Sequence, residues 1–396
     1  MKILWLIGNT SLYAEANNQH GGWIGALQRQ LMQVAYVRLA IAFPWDKEMR
    51  EGKDNVLYYG VRNISHPIFR FQSKQHAQLE RIKHIIEDFQ PDIIHVFGTE
   101  IGYGLICEHT NIPVIIHLQG ILEAIFEAWL PQNLSWSKYI LAHPLAYLGY
   151  DAMQKFTKRE RRIFEECKHY MGRTEWDQSI SHLLSPNSSY YYCPEMLRPE
   201  IYAALPWQYH QSPKLTIVSV IGNSMYKGAD VILRTAKILK EWSTLDFEWQ
   251  IVGVENICWA EKHVGIKAKE VGINPVGRAS AIELIKILQS ADIFVHSSYI
   301  ENSSNAICEA QCIGLPVIAT HVGGTTSLVE HEKTGIIVPA NDVYMLAAQI
   351  SRLANNPQIC MTLGKNARCE AQARHNPAAI ITTLLNIYQS VVHAQV

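Results

Sequence analysis

Cysteine is scarce in this sequence. Eight in a chain of 396 residues are too few for a disulfide scaffold. Cys107, Cys167, Cys193, Cys258, Cys360 and Cys369 stand singly, and only Cys308 and Cys312 are close, at helical i,i+4 spacing inside an apolar segment. No second ligand pair follows them, so no structural zinc is expected, and a reduced, cytosolic compartment is the default expectation. An excess of charge of one sign is also missing. Thirty-five Lys and Arg face 36 Asp and Glu, a formal net charge of −1, which argues against a protein that coats nucleic acid. No apolar run approaches the roughly 20 residues of a membrane span; the nearest, Tyr139 to Tyr150, is interrupted by His143 and Pro144. The opening run from Ile3 to Gly8 is shorter than the roughly 7–15 apolar residues of a signal-peptide core. It fits a buried first strand.

Several catalytic signatures are absent as well. The first strand is not followed by the dinucleotide fingerprint G-x-G-x-x-G, no nucleophile elbow G-x-S-x-G occurs, and no Asp-x-Asp pair suited to a metal-bound diphosphate appears. The 17 histidines show no metal-ligand spacing.

What the chain does have is apolar material, 48% hydrophobic against 18% charged residues, enough for large cores and incompatible with wholesale disorder. At roughly 150 residues per domain the length suggests two to three domains. Short apolar runs alternate with amphipathic stretches: strands are expected at Ile3–Ile7, Leu39–Phe43, Ile93–Phe97 and Val114–Leu118, with helices at Ala26–Val37 and Gln75–Phe89 between them. Prolines at 186, 194, 199, 206 and 213 then break the pattern. A second series follows, with strands at Leu215–Ile221, Trp249–Val254, Ile293–His296 and Pro316–Thr320 and helices at Asp230–Trp242 and Ala281–Leu288. Fully apolar strands separated by helices imply parallel sheets covered on both faces. The expectation is two α/β domains, 1–200 and 213–375, with a terminal helical segment, 376–396, packing back on the first.

The most informative stretch runs from Tyr299 to Thr320. Glu301 precedes Asn302, Ser303, Ser304 and Asn305, a helix N-cap cluster; Glu309 lies on the helix, Gly314 ends it and Pro316 opens the next strand. If helical throughout, the two glutamates would be at most about 12 Å apart, a span that suits a sugar nucleotide with its diphosphate on the helix amino terminus. On spacing alone, a buried-edge Glu309 and a solvated Glu301 are the plainer reading.

Glu301 through Glu309, then Gly314-Leu315-Pro316-Val317-Ile318-Ala319-Thr320 and Gly323-Gly324, resemble the E-x7-E donor site of the family 4 retaining glycosyltransferases. Ala291-Asp292-Ile293-Phe294-Val295, Thr334-Gly335-Ile336-Ile337-Val338-Pro339 and Asp342 match too, and Gly172-Arg173-Thr174-Glu175-Trp176-Asp177 resembles a block of bacterial surface-polysaccharide members. The resemblance implies a GT-B fold, two facing Rossmann-like domains with an interdomain cleft. It also implies transfer of a sugar from a UDP- or GDP-linked donor, without metal or other cofactor, to a glycan or polyprenyl-linked acceptor. A sugar-nucleotide epimerase on the same fold and a catalytically silent donor-binding protein are the alternatives.

Under this resemblance Lys227, in a strand-to-helix turn with Gly228, faces the donor diphosphate and Glu301 holds sugar hydroxyls. Glu309 takes the ribose, Asn302 to Asn305 the diphosphate, and Gly277 and Arg278 border the base. Gly21 and Gly22, before Trp23, form a loop for phosphate or acceptor. Gly323, Gly324 and Thr325 meet sugar or acceptor. There are three departures. The arginine usually a few residues before the lysine is replaced by Gly222-Asn223-Ser224, leaving Arg173 as a candidate second cation, or else an arginine paired to Glu175 or Asp177. The usual strand-end histidine is Gln119, with His117 two residues earlier on the same strand face; Gln119 can hydrogen-bond a hydroxyl but cannot shuttle a proton. The glutamate usual after the glycine pair is Ser327.

One surface feature remains. The apolar stretch after Trp136 precedes Lys155, Lys158, Arg159, Arg161 and Arg162, a pairing that suits peripheral docking on an anionic inner membrane face, or a buried helix with a solvated basic continuation.

Overall fold

The computed structural model describes residues 1–14, 22–62 and 71–394. The chain forms two compact units, one of Met1–Glu123, Leu148–Met196 and Asn376–Val396, the other of Ala124–Tyr147 and Leu197–His375. Residues 124–147, expected within the first domain, thus group with the second. No helix among the described residues is long and apolar enough to cross a membrane.

The first unit is built on an eight-stranded sheet: β1 (Lys2–Leu6), β2 (Arg38–Trp45), β3 (Met49–Lys53), β4 (Val56–Arg62), β5 (Ile93–Phe97), β6 (Val114–His117), β7 (His169–Gly172) and β8 (Ser189–Tyr192). Their spatial order is β3-β4-β2-β1-β5-β6-β7-β8. All neighbours are parallel except β3 with β4. That antiparallel hairpin turns at Asp54 and Asn55, both at positive φ (50° and 61°), as a two-residue turn of this hand demands. The period of two in β1 explains its unbroken apolar run. Ile3, Trp5 and Ile7 enter one core with the terminal helix Pro377–His393, while Leu4 and Leu6 enter the core on the other face. A strand buried on both faces cannot alternate with polar residues.

The terminal helix is also tied in by polar bonds. Trp5 Nε1 donates to the Tyr388 hydroxyl at 3.0 Å, and that oxygen lies 2.6 Å from His95 Nδ1. Burial pushes the His95 imidazole down to about 3, so it is neutral there. Cys107 and Cys167, 60 residues apart, form a disulfide with a Cα separation of 5.6 Å. The expectation of single, reduced cysteines fails for this pair because the tertiary fold alone brings them together.

The second unit holds β9 (Leu215–Val220), β10 (Phe247–Val252), β11 (Ile273–Gly277), β12 (Ile293–His296), β13 (Val317–Thr320) and β14 (Ile336–Val338). They are ordered β11-β10-β9-β12-β13-β14 and all parallel. Its helices are capped as their sequences suggest: Ser280 and Glu283 form a reciprocal box at Ala281–Ser290, and Gly314, at φ 90°, ends Asn305–Ile313.

Candidate functional site

In the second unit the chain passes from β9 to β10 and β11 on one side, then returns to β12 on the other side of β9. Loops leaving the carboxyl ends of two such strands diverge, and ligands of open parallel sheets bind there. The loop after β9 carries Lys227, at the end of a short turn Met225–Lys227. The loop after β12 carries Glu301. Gly228 sits at φ 75°, where a Cβ would drive into the Ser297 carbonyl oxygen, so only glycine lets the two loops meet. Ser297 Oγ returns the contact by donating to the Lys227 carbonyl at 3.1 Å.

Lys227 Nζ donates to Glu301 Oε2 at 2.6 Å, and His296 Nε2 hydrogen-bonds the same oxygen at 3.3 Å. Burial by itself would push the Glu301 carboxyl up. Lys227 and His296 outweigh it and hold the group down at about 2. Burial likewise opposes charge on Lys227, yet Glu301 and Tyr226 keep its pKa raised. Both groups are therefore ionised and only partly exposed, 22% for the lysine side chain and 14% for the glutamate. The Tyr226 ring lies 5.0 Å from Nζ, and Trp129 packs on that ring at 5.3 Å.

Two expected glycines support this pair from behind. Gly324 N–H donates to the Glu301 carbonyl at 3.0 Å. A Cβ on Gly323, at φ 47°, would strike that same carbonyl oxygen. Their role in this structure is backbone contact with Glu301. Thr325 is fully buried and its hydroxyl has no hydrogen-bond partner.

Asn302, Ser303 and Ser304 are buried and Asn305 is exposed. Ser304 occupies the N-cap of Asn305–Ile313 without a side-chain cap bond, so the expected cap is positional only. Glu309 lies on this helix. Arg198 binds its Oε1 twice, from Nε at 3.0 Å and Nη2 at 2.8 Å. The arginine is 111 residues away in sequence, and no local signal announces it. Gly277 ends β11 at φ 76°, close against Glu255, and Arg278 beside it is exposed.

The remaining candidates belong to the first unit. Gly21 lies outside the described residues, and Gly22 opens the helix Gly22–Leu31. His117 is 1% exposed, with no hydrogen-bond partner on either nitrogen and Trp23 packed on it at 5.1 Å. A sugar contact by His117, as expected from sequence, does not hold in this conformation because the ring is covered. Burial, then His95 and Arg173, hold its pKa well below the usual histidine range. Gln119 is half-buried and its carbonyl accepts from Arg173 Nη2 at 3.3 Å. The Arg173 side chain pairs with Glu195 at 3.8 Å rather than with Glu175 or Asp177. Asp177 instead accepts from the Arg173 backbone N–H at 3.0 Å and completes a capping box with Thr174.

The basic run is not a free cationic face. Arg159 is buried and donates to the carbonyls of Thr99 and Glu100, Arg161 pairs with Glu123, Arg162 with Glu108 and Lys155 with Asp151. The apolar stretch before it is no buried helix either: Trp136–Ala142 has no buried residue, and Leu141 and Leu145 are 86% and 81% exposed.

Comparison with known proteins bears on the same region. Residues 207–370 match the family described as Glycosyl transferases group 1. A D-inositol 3-phosphate glycosyltransferase of Saccharomonospora viridis is 32% identical over 131 residues, 32% of this chain and 30% of that protein. The amylovoran biosynthesis glycosyltransferase AmsK of Erwinia amylovora is 28% identical over 169 residues, 41% of each. This chain thus spans less than half the length of these curated relatives. In structure, sucrose-phosphate synthase from Thermosynechococcus elongatus superposes with a TM-score of 0.77 at 18% identity, covering 99% of both chains. The fold class is therefore GT-B, and within it residues 207–370 are similar to the glycosyl transferases group 1 family.

Proposed function

We propose that the protein is a retaining, metal-independent glycosyltransferase of cell-surface polysaccharide synthesis. It takes a sugar from a nucleoside-diphosphate donor, UDP- or GDP-linked, and passes it to a hydroxyl of a glycan or polyprenyl-linked acceptor. The observation that carries this reading is the Lys227–Glu301 pair, both members ionised, at the diverging strand ends beside the amino terminus of Asn305–Ile313. As the sugar–phosphate bond breaks, negative charge grows on the departing diphosphate. Lys227 and the helix N–H groups stabilise it. Glu301 accepts hydrogen bonds from sugar hydroxyls, and Glu309, oriented by Arg198, accepts them from the ribose. In a front-face displacement the departing phosphate takes the acceptor proton.

The test is release of nucleoside diphosphate from UDP- and GDP-sugars, with transfer followed into a lipid-extracted membrane fraction. Lys227→Ala and Glu301→Ala are expected to lower the rate at least about 100-fold with circular dichroism showing both variants still folded, and EDTA to leave the wild-type rate unaltered. Wild-type rates in both variants would refute the assignment, as would sugar interconversion without diphosphate release. Activity abolished by EDTA and restored by Mn²⁺ would refute the metal-free site.

We infer that the acceptor lies at a membrane surface, with docking driven by the exposed Leu141, Leu145 and Tyr147. Because the neighbouring arginines are already paired, docking draws on apolar burial more than on anionic lipid. Co-flotation with liposomes should survive high salt and fall when Leu141 and Leu145 become Ser; no co-flotation on any vesicle overturns it.

A further inference from the structure

β12 reads Ile293-Phe294-Val295-His296, and all four residues are buried. The strand pairs with β9 on one side and with β13 on the other, where His296 stands opposite Ala319. A histidine closing so apolar a strand is out of keeping with its neighbours. It is only 2% exposed, and a buried polar ring costs free energy unless it is hydrogen-bonded. Its partners lie in the loop that follows: Nε2 is 3.3 Å from Glu301 Oε2 and 3.2 Å from Ser298 Oγ. An ionised carboxylate only accepts, so Nε2 carries the proton. Nδ1 is buried without a hydrogen-bond partner among the described residues. That agrees with the same tautomer, because a proton on Nδ1 would be an orphaned donor. Glu301 is thus gripped by two donors of different character. Lys227 Nζ, 2.6 Å from Oε2, is a point charge on a flexible stem that another anion can attract. His296 is fixed by the sheet.

We propose that His296 is a positioning residue, which holds the Glu301 carboxylate in place when a nucleoside diphosphate draws Lys227 away from it. Diphosphate and carboxylate compete for one ammonium, so the Lys227–Glu301 bond weakens as the diphosphate arrives. The Glu301 backbone is anchored by Gly324 N–H on its carbonyl at 3.0 Å, but that bond leaves the side chain free to turn. Misplacement of a binding group by about 1 Å can cost about 100-fold in rate. The histidine removes that freedom, because its bond issues from a strand paired on both edges. Lys227 and His296 both use Oε2, so the carboxylate can be held there while Oε1 accepts from a sugar hydroxyl. The consequence for catalysis rests on the glycosyl-transfer reading above; the bond to Glu301 does not.

The experiment compares two substitutions in the full chain. His296→Leu keeps an apolar side chain of similar bulk and removes the donor, whereas His296→Gln returns an N–H at similar reach. The donors are UDP-glucose, UDP-galactose, UDP-N-acetylglucosamine and GDP-mannose. His296→Leu should lower kcat for nucleoside-diphosphate release about tenfold or more, the worth of a hydrogen bond to a charged group. His296→Gln should recover most of that loss, and both variants should bind UDP and GDP alone as wild type does. A wild-type kcat in His296→Leu overturns the proposal. So do equal losses in the two variants, the result expected of a histidine that only packs the loop. A second readout needs no turnover. In NMR spectra of protein with isotope-labelled histidine, the His296 Nε2–H resonance is identified by its loss in His296→Leu. It should move when Glu301→Ala removes the acceptor, and persist when UDP or GDP is added to saturation. No such resonance in wild type, one that ignores Glu301→Ala, or one lost on adding nucleotide overturns the proposal. Absence of diphosphate release by wild type refutes the glycosyl-transfer reading instead, and the NMR readout still decides whether His296 holds Glu301.

Discussion

Lys227 and Glu301 are 74 residues apart in the chain and 2.6 Å apart in the fold, and their pairing ties site chemistry to stability. Glu301 is held at about 2 against an ordinary 4.5, so between those values the unfolded chain binds the additional proton. Stability then rises with pH across that window: the pair contributes fully above about pH 4.5 and its contribution is lost as pH falls toward 2. Glu301→Gln should therefore flatten the acid limb of stability measured by urea midpoints, and at neutral pH lower stability by about 1–3 kcal/mol, since Lys227 loses its partner. An unchanged acid slope would mean that Glu301 is not the ionised partner. Glu301, Lys227 and the glycine pair were legible as candidates from the motif resemblance, and the fold brings them together. Arg198 and His296 were not, because an ion pair across 111 residues, or a histidine within an apolar strand end, leaves no periodic trace. His117 misled for a related reason: strand alternation predicts its face, but Trp23, which covers that face, comes from elsewhere in the chain.

At the scale of elements, long apolar runs declared themselves and marginal ones did not. β1, β5, β6, β9, β12 and β13 are buried on both faces, so their composition alone marks them. The hairpin β3–β4 was missed: β3 reads Met-Arg-Glu-Gly-Lys and is largely exposed, held by pairing rather than by burial. The terminal helix makes the opposite case, since its packing back on the first unit was expected but its polar anchor was not. Tyr388→Phe removes the hydroxyl that serves both Trp5 Nε1 and His95 Nδ1 and leaves two buried polar atoms unpaired. A loss of about 1–3 kcal/mol per orphaned group is expected, seen as a lower urea midpoint with the slope unchanged. Wild-type stability would show that water replaces the hydroxyl.

Across the whole molecule the chain order and the folding units do not coincide. Residues 124–147 belong with the second unit and 376–396 with the first, so no single cut yields two complete units. Removal of 376–396 strips Ile380, Leu384, Tyr388 and Val391 from the core that contains Ile3, Trp5 and Ile7. Calorimetry of the shortened chain should show the first unit melting well below its normal temperature, while a second transition, still raised by nucleoside diphosphate, persists. Loss of both transitions together would mean that the units do not fold independently.

By itself the sequence determined the α/β class and the two series of parallel strands, and the resemblance of its motifs singled out Lys227, Glu301 and Glu309 as candidates. The fold-level readings rest on local physics, in burial periodicity, helix capping and backbone freedom at glycine. Only the tertiary structure decided that Cys107 meets Cys167, that Arg198 claims Glu309, that the arginines after Lys158 are paired and that Leu141 and Leu145 stand exposed. Those outcomes depend on which distant residues arrive at a given surface. Long-range contact is set by how whole elements pack, and no short window of sequence contains it.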